Sequence, residues 1–441
     1  MAARPTRALY LSYDGMCDPL GGSQVLPYLI GLSARGHKID LISFEKAERS
    51  AEERAAVARM CAQAGIRWHP LPYHKRPPIL SAIYDVHRMR RLAERLHRQD
   101  RFDLIHCRSY LSALAGLKIK RRFGVPFIFD MRGFWADERL DGRIWKLSNP
   151  LQRLIYRYFK RREAEFLAEA GEVVSLTEAG RQILLAWRDD PASGPPITVI
   201  PCCTDSAAFA PVTSRDRAAG RKALNIPADA KVAAYLGSFG SWYMVGEMLD
   251  FFRVQLEREP SALFLIVSRE PAAEIRTAAI ERGVPVDRLI IRAASRADVP
   301  GLMASADYGL FFIKPVFSKK ASSPTKMGEF LALEIPIVTN SGVGDVDRIM
   351  AETGAGAVVQ TLTPGSYRRA LNELAQLKPD MARWRNASRR WFDLETGIKR
   401  YNEIYQRLRD APVGSGEGSA GPQRRPERAV DSQPVGRSDN A

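Results

Sequence analysis

Short apolar, β-branched runs alternate along the chain with longer stretches whose apolar residues recur every three or four positions. Ala8-Leu9-Tyr10-Leu11-Ser12 reads as a first strand, followed by a loop from Asp14 to Gly22. From Ser23 to Ala34, Val25, Leu26, Leu29, Ile30 and Leu32 mark a helix. Gly36-His37-Lys38 then turns the chain into a strand from Ile39 to Phe44. A strand, loop, helix, turn and strand in that order open a parallel α/β sheet. Further strands are expected at Leu104–His106, Pro126–Phe129, Glu172–Leu176 and Ile197–Pro201, with helices between them. After a polar linker the pattern restarts, with strands at Lys231–Leu236, Ala262–Ser268, Arg288–Ile291, Tyr308–Ile313 and Ile335–Val338. The fold class is therefore α/β, with two doubly wound domains in series. Ligands are expected in the cleft between the carboxyl ends of their strands. Trp384–Leu408 reads as helix packed on the body through Trp384, Trp391, Phe392, Tyr401 and Tyr405. From Ala411 onward, Gly, Pro, Ser and Arg without periodicity read as a disordered tail.

The length of 441 residues suits two such domains, and 45% hydrophobic content is ordinary for a globular protein. Five cysteines, odd in number and without ligand spacing, argue for reduced thiols in a cytoplasmic protein and against a disulfide framework or zinc site. No secretory signal and no run of about 20 apolar residues is visible, which points to a soluble or peripheral protein. The formal net charge of +16 sits on the body, because the basic residues of the last thirty are offset by acids. Nucleotide diphosphate, anionic lipid and nucleic acid are all possible counterparts of that charge. No nucleic-acid-reading motif accompanies it.

The most informative stretch is Ser322 to Val338. Ser323 is placed to cap a helix, Pro324 suits its first position, and Lys326 stands in the same turn as the free N–H groups. Thr325 lies in that turn too, and Glu329, one turn on, can accept hydrogen bonds from hydroxyls. A phosphate cradle and a hydroxyl acceptor on one helix suit a nucleoside diphosphate. Gly21-Gly22, at a strand-to-helix junction with Ser23 as cap, reads either as a close approach to phosphate or as a tight turn. Arg108 and Arg132 follow strands and are expected at the cleft rim, with His106 the best placed histidine. In the run Asp130 to Glu138, the arginine fork of Arg132 suits an anion and the ring of Trp135 a sugar face. Arg132 can alternatively pair with Asp130, Asp137 or Glu138. The backbone of Gly237 to Gly240, with Ser238, can add N–H donors, and Arg269 is a further candidate cation. Asp345-Val346-Asp347 falls after the last strand, and no metal site is apparent. Gly142 to Arg162 holds seven cations and no acid; Arg153, Arg157 and Lys160 share a helical face that suits a membrane surface, or a solvated face on a core helix.

Ser-Pro-Thr-Lys-x-x-Glu-Phe-Leu-Ala at 323–332 resembles the donor helix of retaining family 4 glycosyltransferases. Leu20 to Gln24 with Arg35 to Ile39, Val199 to Asp205 with Phe209 and Pro211, and Ala306 to Leu310 resemble other segments of that family. Asp130 to Glu138 resembles members acting in cell-surface polysaccharide assembly. The resemblance implies the GT-B fold, two Rossmann-like domains whose last helix crosses back to the first. The expected division is 1–205, an acceptor-side domain; 206–385, the nucleotide-sugar domain; 386–410, the crossing helix; and 411–441, the tail. It implies a cytoplasmic, metal-independent enzyme needing no cofactor, moving a sugar with retention from a UDP or GDP sugar to a glycan or lipid-linked acceptor. Attachment to the inner face of an anionic membrane is consistent with such an acceptor.

Of the family's Glu-x7-Glu pair, Glu329 matches the ribose-binding second member, while the first falls on Ala321, so backbone groups of Ala321 to Ser323 take its place. The family's phosphate-gripping Arg and Lys are replaced by Ser238 and Tyr243, which leaves Lys326 and an arginine to supply charge. The Gly21-Gly22 loop is expected to close on the phosphates, and the donor's own leaving phosphate to assist the acceptor hydroxyl. An epimerase of the same fold and a non-catalytic relative are the rival readings.

Overall fold

The computed structural model describes residues 4–205 and 208–411, so the expected tail lies, from residue 412, outside the described residues. The first domain runs β1 (Arg7–Ser12), α1 (Pro19–Gln24), α2 (Leu26–Ala34), β2 (Lys38–Glu45), α3 (Ala51–Gln63), β3 (Arg67–Pro72), α4 (Leu80–Asp100) and β4 (Leu104–Arg108). It continues through α5 (Ser109–Phe123), β5 (Phe127–Asp130), α6 (Trp135–Asp141), α7 (Pro150–Glu169), β6 (Glu172–Ser175), α8 (Glu178–Ala186) and β7 (Ile197–Val199). Its strands are all parallel, in the order β3-β2-β1-β4-β5-β6-β7. In β1, Leu9 and Leu11 enter the core under one helical layer while Ala8 and Tyr10 enter the core under the other. Burial on both faces is why this strand reads as an unbroken apolar run.

The second domain runs α9 (Ser214–Ala223), β8 (Val232–Leu236), α10 (Val245–Leu256), β9 (Leu263–Val267), α11 (Ala272–Glu281), β10 (Leu289–Arg292), α12 (Val299–Met303) and β11 (Tyr308–Phe311). Then come α13 (Thr325–Ala332), β12 (Ile337–Asn340), α14 (Val346–Thr353), β13 (Gly356–Val359) and α15 (Pro364–Ala375). Its parallel strands lie in the order β10-β9-β8-β11-β12-β13. Strand order reverses between β1 and β4 in one sheet and between β8 and β11 in the other. The loops after β1 and β8 therefore open at the crevices where such sheets hold ligands.

Two helices end the described chain. α16 (Met381–Phe392) buries Trp384 and Phe392 in the second core, and α17 (Leu394–Asp410) buries Ile398, Tyr401 and Tyr405 in the first. The chain thus passes between domains twice, at Thr204 and at Asp393, and the two passages are bonded to each other: Thr204 N–H donates to Phe392 O (2.6 Å) and Leu394 N–H to Thr204 O (3.2 Å).

Several elements depart from expectation. The helix expected from Ser23 is two helices broken at Val25 (φ −126°, ψ −64°), and α1 begins inside the expected loop. Pro27 explains the break, since it has no N–H for the carbonyl four residues back and its ring crowds that group. β3, with Pro70 and Pro72, is a half-exposed edge strand with no apolar run to announce it. β12 begins at Ile337 rather than Ile335, because Glu334 turns the chain through the left-handed region (φ 60°) before Pro336.

Candidate functional site

The second domain's wall is built on α13. Pro324 is its N-cap residue and no side chain caps it. Ser323 does not cap, as the sequence suggested; its Oγ accepts from the backbone N–H of Cys202 in the first domain (3.2 Å). Of the first-turn N–H groups of α13, that of Met327 donates to Pro324 O (3.0 Å), and no side chain accepts from the others at the cap. Ser322 and Thr325 engage through their backbones, Ser322 N–H donating to Lys319 O (3.2 Å) and Thr325 O accepting from Thr204 Oγ1 (3.5 Å).

Lys326 turns inward. It is 5% exposed, with Nζ 3.1 Å from the ring centre of Tyr243 and 4.4 Å from that of Tyr235, and it donates to Tyr235 Oη (3.2 Å). The Tyr235 hydroxyl in turn donates to Ser238 O (2.7 Å). Gly237 (φ 111°) faces the ammonium; a Cβ there would stand 3.7 Å from Nζ. Burial drives the Lys326 pKa well below its ordinary value, and nearby Glu329 offsets this only in part. Glu329 is also buried, which raises its pKa against the pull of Arg296 and Lys326. Arg296, in the loop after β10, brings Nη1 within 3.5 Å of Glu329 Oε1 and lies over Phe209. The sequence reading missed Arg296, because only the tertiary fold brings it to α13. Arg269, by contrast, is exposed after β9 and joins none of these groups.

The first domain's wall lies at the ends of β4 and β5. Arg108 is the last residue of β4 rather than a rim residue beyond it, 3% exposed, with Nε donating to Asp14 Oδ2 (3.0 Å). Arg132, in the left-handed region (φ 57°), brings Nη1 within 3.7 Å of Asp130 Oδ1 and donates from Nη2 to Cys202 Sγ (3.3 Å). Burial tends to raise the Asp130 pKa, but Arg132, His106 and Arg108 prevail and hold it below the usual carboxylate value. Cys202 stands where the two walls meet: its Sγ accepts from Arg132 and its N–H donates to Ser323 Oγ beside α13.

Three expectations are corrected here. His106 is no cleft histidine: it is 1% exposed beneath α17, Nδ1 bonded to Tyr405 Oη (3.0 Å) and Nε2 3.5 Å from Asp130 Oδ2. Trp135 packs against Tyr110, Trp145 and Phe159, with Arg139 over its ring, so no free face remains for a sugar. Gly21 and Gly22 lie inside α1 and not in a turn needing positive φ, and the Ser23 hydroxyl donates to Pro19 O (2.7 Å) instead of capping. A Cβ on Gly21 would overlap the Gly15 carbonyl and lie 2.7 Å from Met16 Cα, whereas Gly22 is exposed. The glycine at 21 serves helix–loop packing.

The walls are joined by the 3₁₀ turn Phe317–Ala321, which enters the first domain between α6 and α8. Phe317 stacks on Phe134 (5.3 Å), Ser318 N–H donates to Asp141 Oδ2 (2.9 Å), and Lys319 pairs with Glu138 (2.7 Å) beneath Trp242. Ala321, where the resembled family carries its first Glu, is 2% exposed in the first domain's core. Asp345 completes the contact by accepting from the N–H groups of Glu178 (2.7 Å) and Ala179 (2.9 Å), so it caps α8 across the domains. Glu138 is thus taken by Lys319, and Asp137 by Tyr156 and Lys160 (2.9 and 3.0 Å). Lys160 therefore leaves the basic face assigned to it. Among the described residues, no group of three or more His, Cys, Asp or Glu stands close enough to hold a metal ion, and no helix is long and apolar enough to cross a membrane.

Two facing parallel-sheet domains with a helix crossing back define the GT-B architecture, and comparison with known proteins agrees. Residues 22–203 match the model of the glycosyl transferase 4-like domain. The chain is 30% identical over 146 residues to a D-inositol 3-phosphate glycosyltransferase of Kineococcus radiotolerans, covering 33% of this chain and 31% of that protein. It is 26% identical over 184 residues to the enzyme of the same description from Actinosynnema mirum, 41% of each. The matched stretches span less than half the length of these relatives. Among solved structures, sucrose-phosphate synthase of Thermosynechococcus elongatus superposes with a TM-score of 0.70 at 16% identity, covering 91% of this chain and 99% of that one. HepE of Anabaena in complex with UDP and glucose gives 0.64 at 14%, covering 91% and 99%. WaaG, a glycosyltransferase involved in lipopolysaccharide biosynthesis, gives 0.62 at 15%, covering 90% and 99%. Likeness at such identities speaks to the fold alone.

Proposed function

We propose that the protein is a glycosyltransferase that moves a sugar from a UDP or GDP sugar to a glycan or lipid-linked acceptor in polysaccharide biosynthesis, with retention and without a metal ion. The observation that carries this reading is Lys326: an amine buried at the head of a helix, whose charged form burial disfavours and which forms no ion pair with a carboxylate among the described residues. A buried, uncompensated charge is costly. The diphosphate of a donor, laid against the N-terminus of α13 and the Gly237 loop, would supply the missing negative charge. Glu329, one turn on, would accept the ribose hydroxyls, and Arg296 would hold it in place until they arrive. The leaving diphosphate would be stabilised by Lys326 and, from the other wall, by Arg132. UDP and UDP-glucose complexes of HepE, which shares the fold, support the choice of donor class.

Incubation with a panel of UDP and GDP sugars, with and without glycan acceptors, tests the reading. Nucleoside diphosphate release that acceptor accelerates, and that Glu329→Ala abolishes, is expected. Sugar interconversion without acceptor would mark an epimerase. No turnover of any donor would favour a binding relative without catalysis, the reading to which the buried Ala321 lends support.

A further inference from the structure

Of fourteen large hydrophobic side chains exposed among the described residues, four fall within 79–84 and five within 144–158. Leu80 and Leu154 are each 65% exposed, Ile83 61% and Leu151 56%. Exposed apolar side chains scattered singly need no explanation, but a cluster marks a contact surface. The first stretch opens α4 beyond the carboxyl end of β3, and the second leads into α7 beyond the carboxyl end of β5. Both therefore lie at the sheet edge that carries Arg108, Asp130 and Arg132, in a helical layer where α5 packs against α4 and α7. The two stretches share a core: Tyr73, in the loop before α4, Trp145, before α7, and Ile155, within α7, pack on the same buried cluster as Trp135, which Arg139 covers at 4.7 Å. Asp85 anchors that loop from beneath, accepting from Tyr13 Oη (3.1 Å) and His74 N–H (3.0 Å).

Within these two stretches the charge has one sign. From Tyr73 to Tyr84 and from Gly142 to Arg162 there is no Asp or Glu, while Lys75, Arg76, Arg143, Lys146 and Arg153 are exposed. A second copy of so cationic a face would repel the first, and a nucleic acid would find no use for aliphatic anchors. Apolar side chains set among cations match the boundary between acyl chains and anionic headgroups.

We infer that this face of the first domain docks on an anionic lipid bilayer, with Leu80, Ile83, Tyr84, Leu151, Leu154 and Tyr158 entering the headgroup layer and the cations beside them meeting lipid phosphates. Docking there sets the Arg108–Arg132 edge of the cleft toward the bilayer, where a lipid-linked acceptor would present its sugar. That consequence rests on the proposed activity; the docking itself does not.

Co-sedimentation of the full chain with vesicles tests it, in the absence of donor and acceptor. Binding to vesicles of equal parts phosphatidylglycerol and phosphatidylcholine is expected, with little to phosphatidylcholine alone. Leu80→Glu with Ile83→Glu, or Leu151→Glu with Leu154→Glu, is expected to weaken it by about tenfold or more. Lys146→Glu with Arg153→Glu should remove the preference for anionic lipid. Unchanged melting temperatures will show that these surface variants fold. Equal binding to both vesicle types, wild-type binding by the apolar variants, or loss of dimers instead of vesicle binding would overturn the inference. None of those results would touch the donor-site reading.

Discussion

Lys326 points its ammonium at the face of Tyr243, 3.1 Å from the ring centre, and forms no ion pair with a described carboxylate. The resembled family carries a phosphate-gripping lysine where Tyr243 falls in the sequence; here that position holds an aromatic ring, and Lys326 brings its ammonium to the ring from α13. On the proposed reading, Lys326 supplies from α13 the charge that Ser238 and Tyr243 do not. It also gives the site a pH dependence. Burial lowers the Lys326 pKa in the free protein, and a bound phosphate would raise it again. Tyr235, Tyr243 and Glu329 face the ammonium, and the tyrosines are pushed above their ordinary value by burial. Nucleoside diphosphate binding is therefore expected to take up a proton, and affinity to fall as pH rises through the free-protein pKa of Lys326. Titration calorimetry in buffers of different ionisation enthalpy measures the uptake; enthalpies independent of buffer would contradict it.

Gly21 and Gly22 separate packing from chemistry. Gly21→Ala would drive a methyl group into the Gly15 carbonyl, and a loss of about 1–3 kcal/mol in chemical unfolding is expected. Gly22→Ala, on the exposed side of α1, should be stabilising or neutral, by no more than about 1 kcal/mol, with turnover unchanged. Turnover lost in Gly22→Ala with full stability would restore the phosphate-loop role.

Asp345 caps α8 from the other domain through two backbone N–H groups. Asp345→Ala should cost about 1–2 kcal/mol, and Asp345→Asn, which keeps one acceptor, less. Burial raises the Asp345 pKa, so the folded protein holds this proton more tightly than the unfolded chain. Its contribution to stability therefore declines as pH rises from the ordinary carboxylate value to the folded one. Denaturation of wild type and Asp345→Asn across mildly acid pH checks the sign: the wild type should lose stability relative to the variant as pH rises through that window.

The strands buried on both faces were legible because a doubly covered strand leaves a continuous apolar run, as at Leu9 to Leu11 and Leu263 to Val267. β3 was not, since an edge strand with two prolines owes its place to Trp68 and its neighbours in β2 rather than to its own pattern. The placement of Lys326 in the first turn of α13 and of Glu329 one turn on followed from helical spacing alone. The partners of those groups did not: Tyr235 of β8, Tyr243 of the segment after β8 and Arg296 of the loop after β10 are brought together only by chain topology. His106 misled because a strand end predicts proximity to the cleft, while α17, whose Tyr405 lies 299 residues later in the chain, decides whether that end is open.

The central claim, that Lys326 grips the diphosphate of a sugar nucleotide, is tested most directly by thermal melting with UDP and GDP in wild type and Lys326→Met. Methionine fills the aromatic pocket without a buried charge, so the free variant should melt no lower than wild type. Nucleotide is expected to raise the wild-type melting temperature and to leave the variant unmoved. A wild type that responds to no nucleotide, or a variant that responds as well as the wild type, would contradict the account.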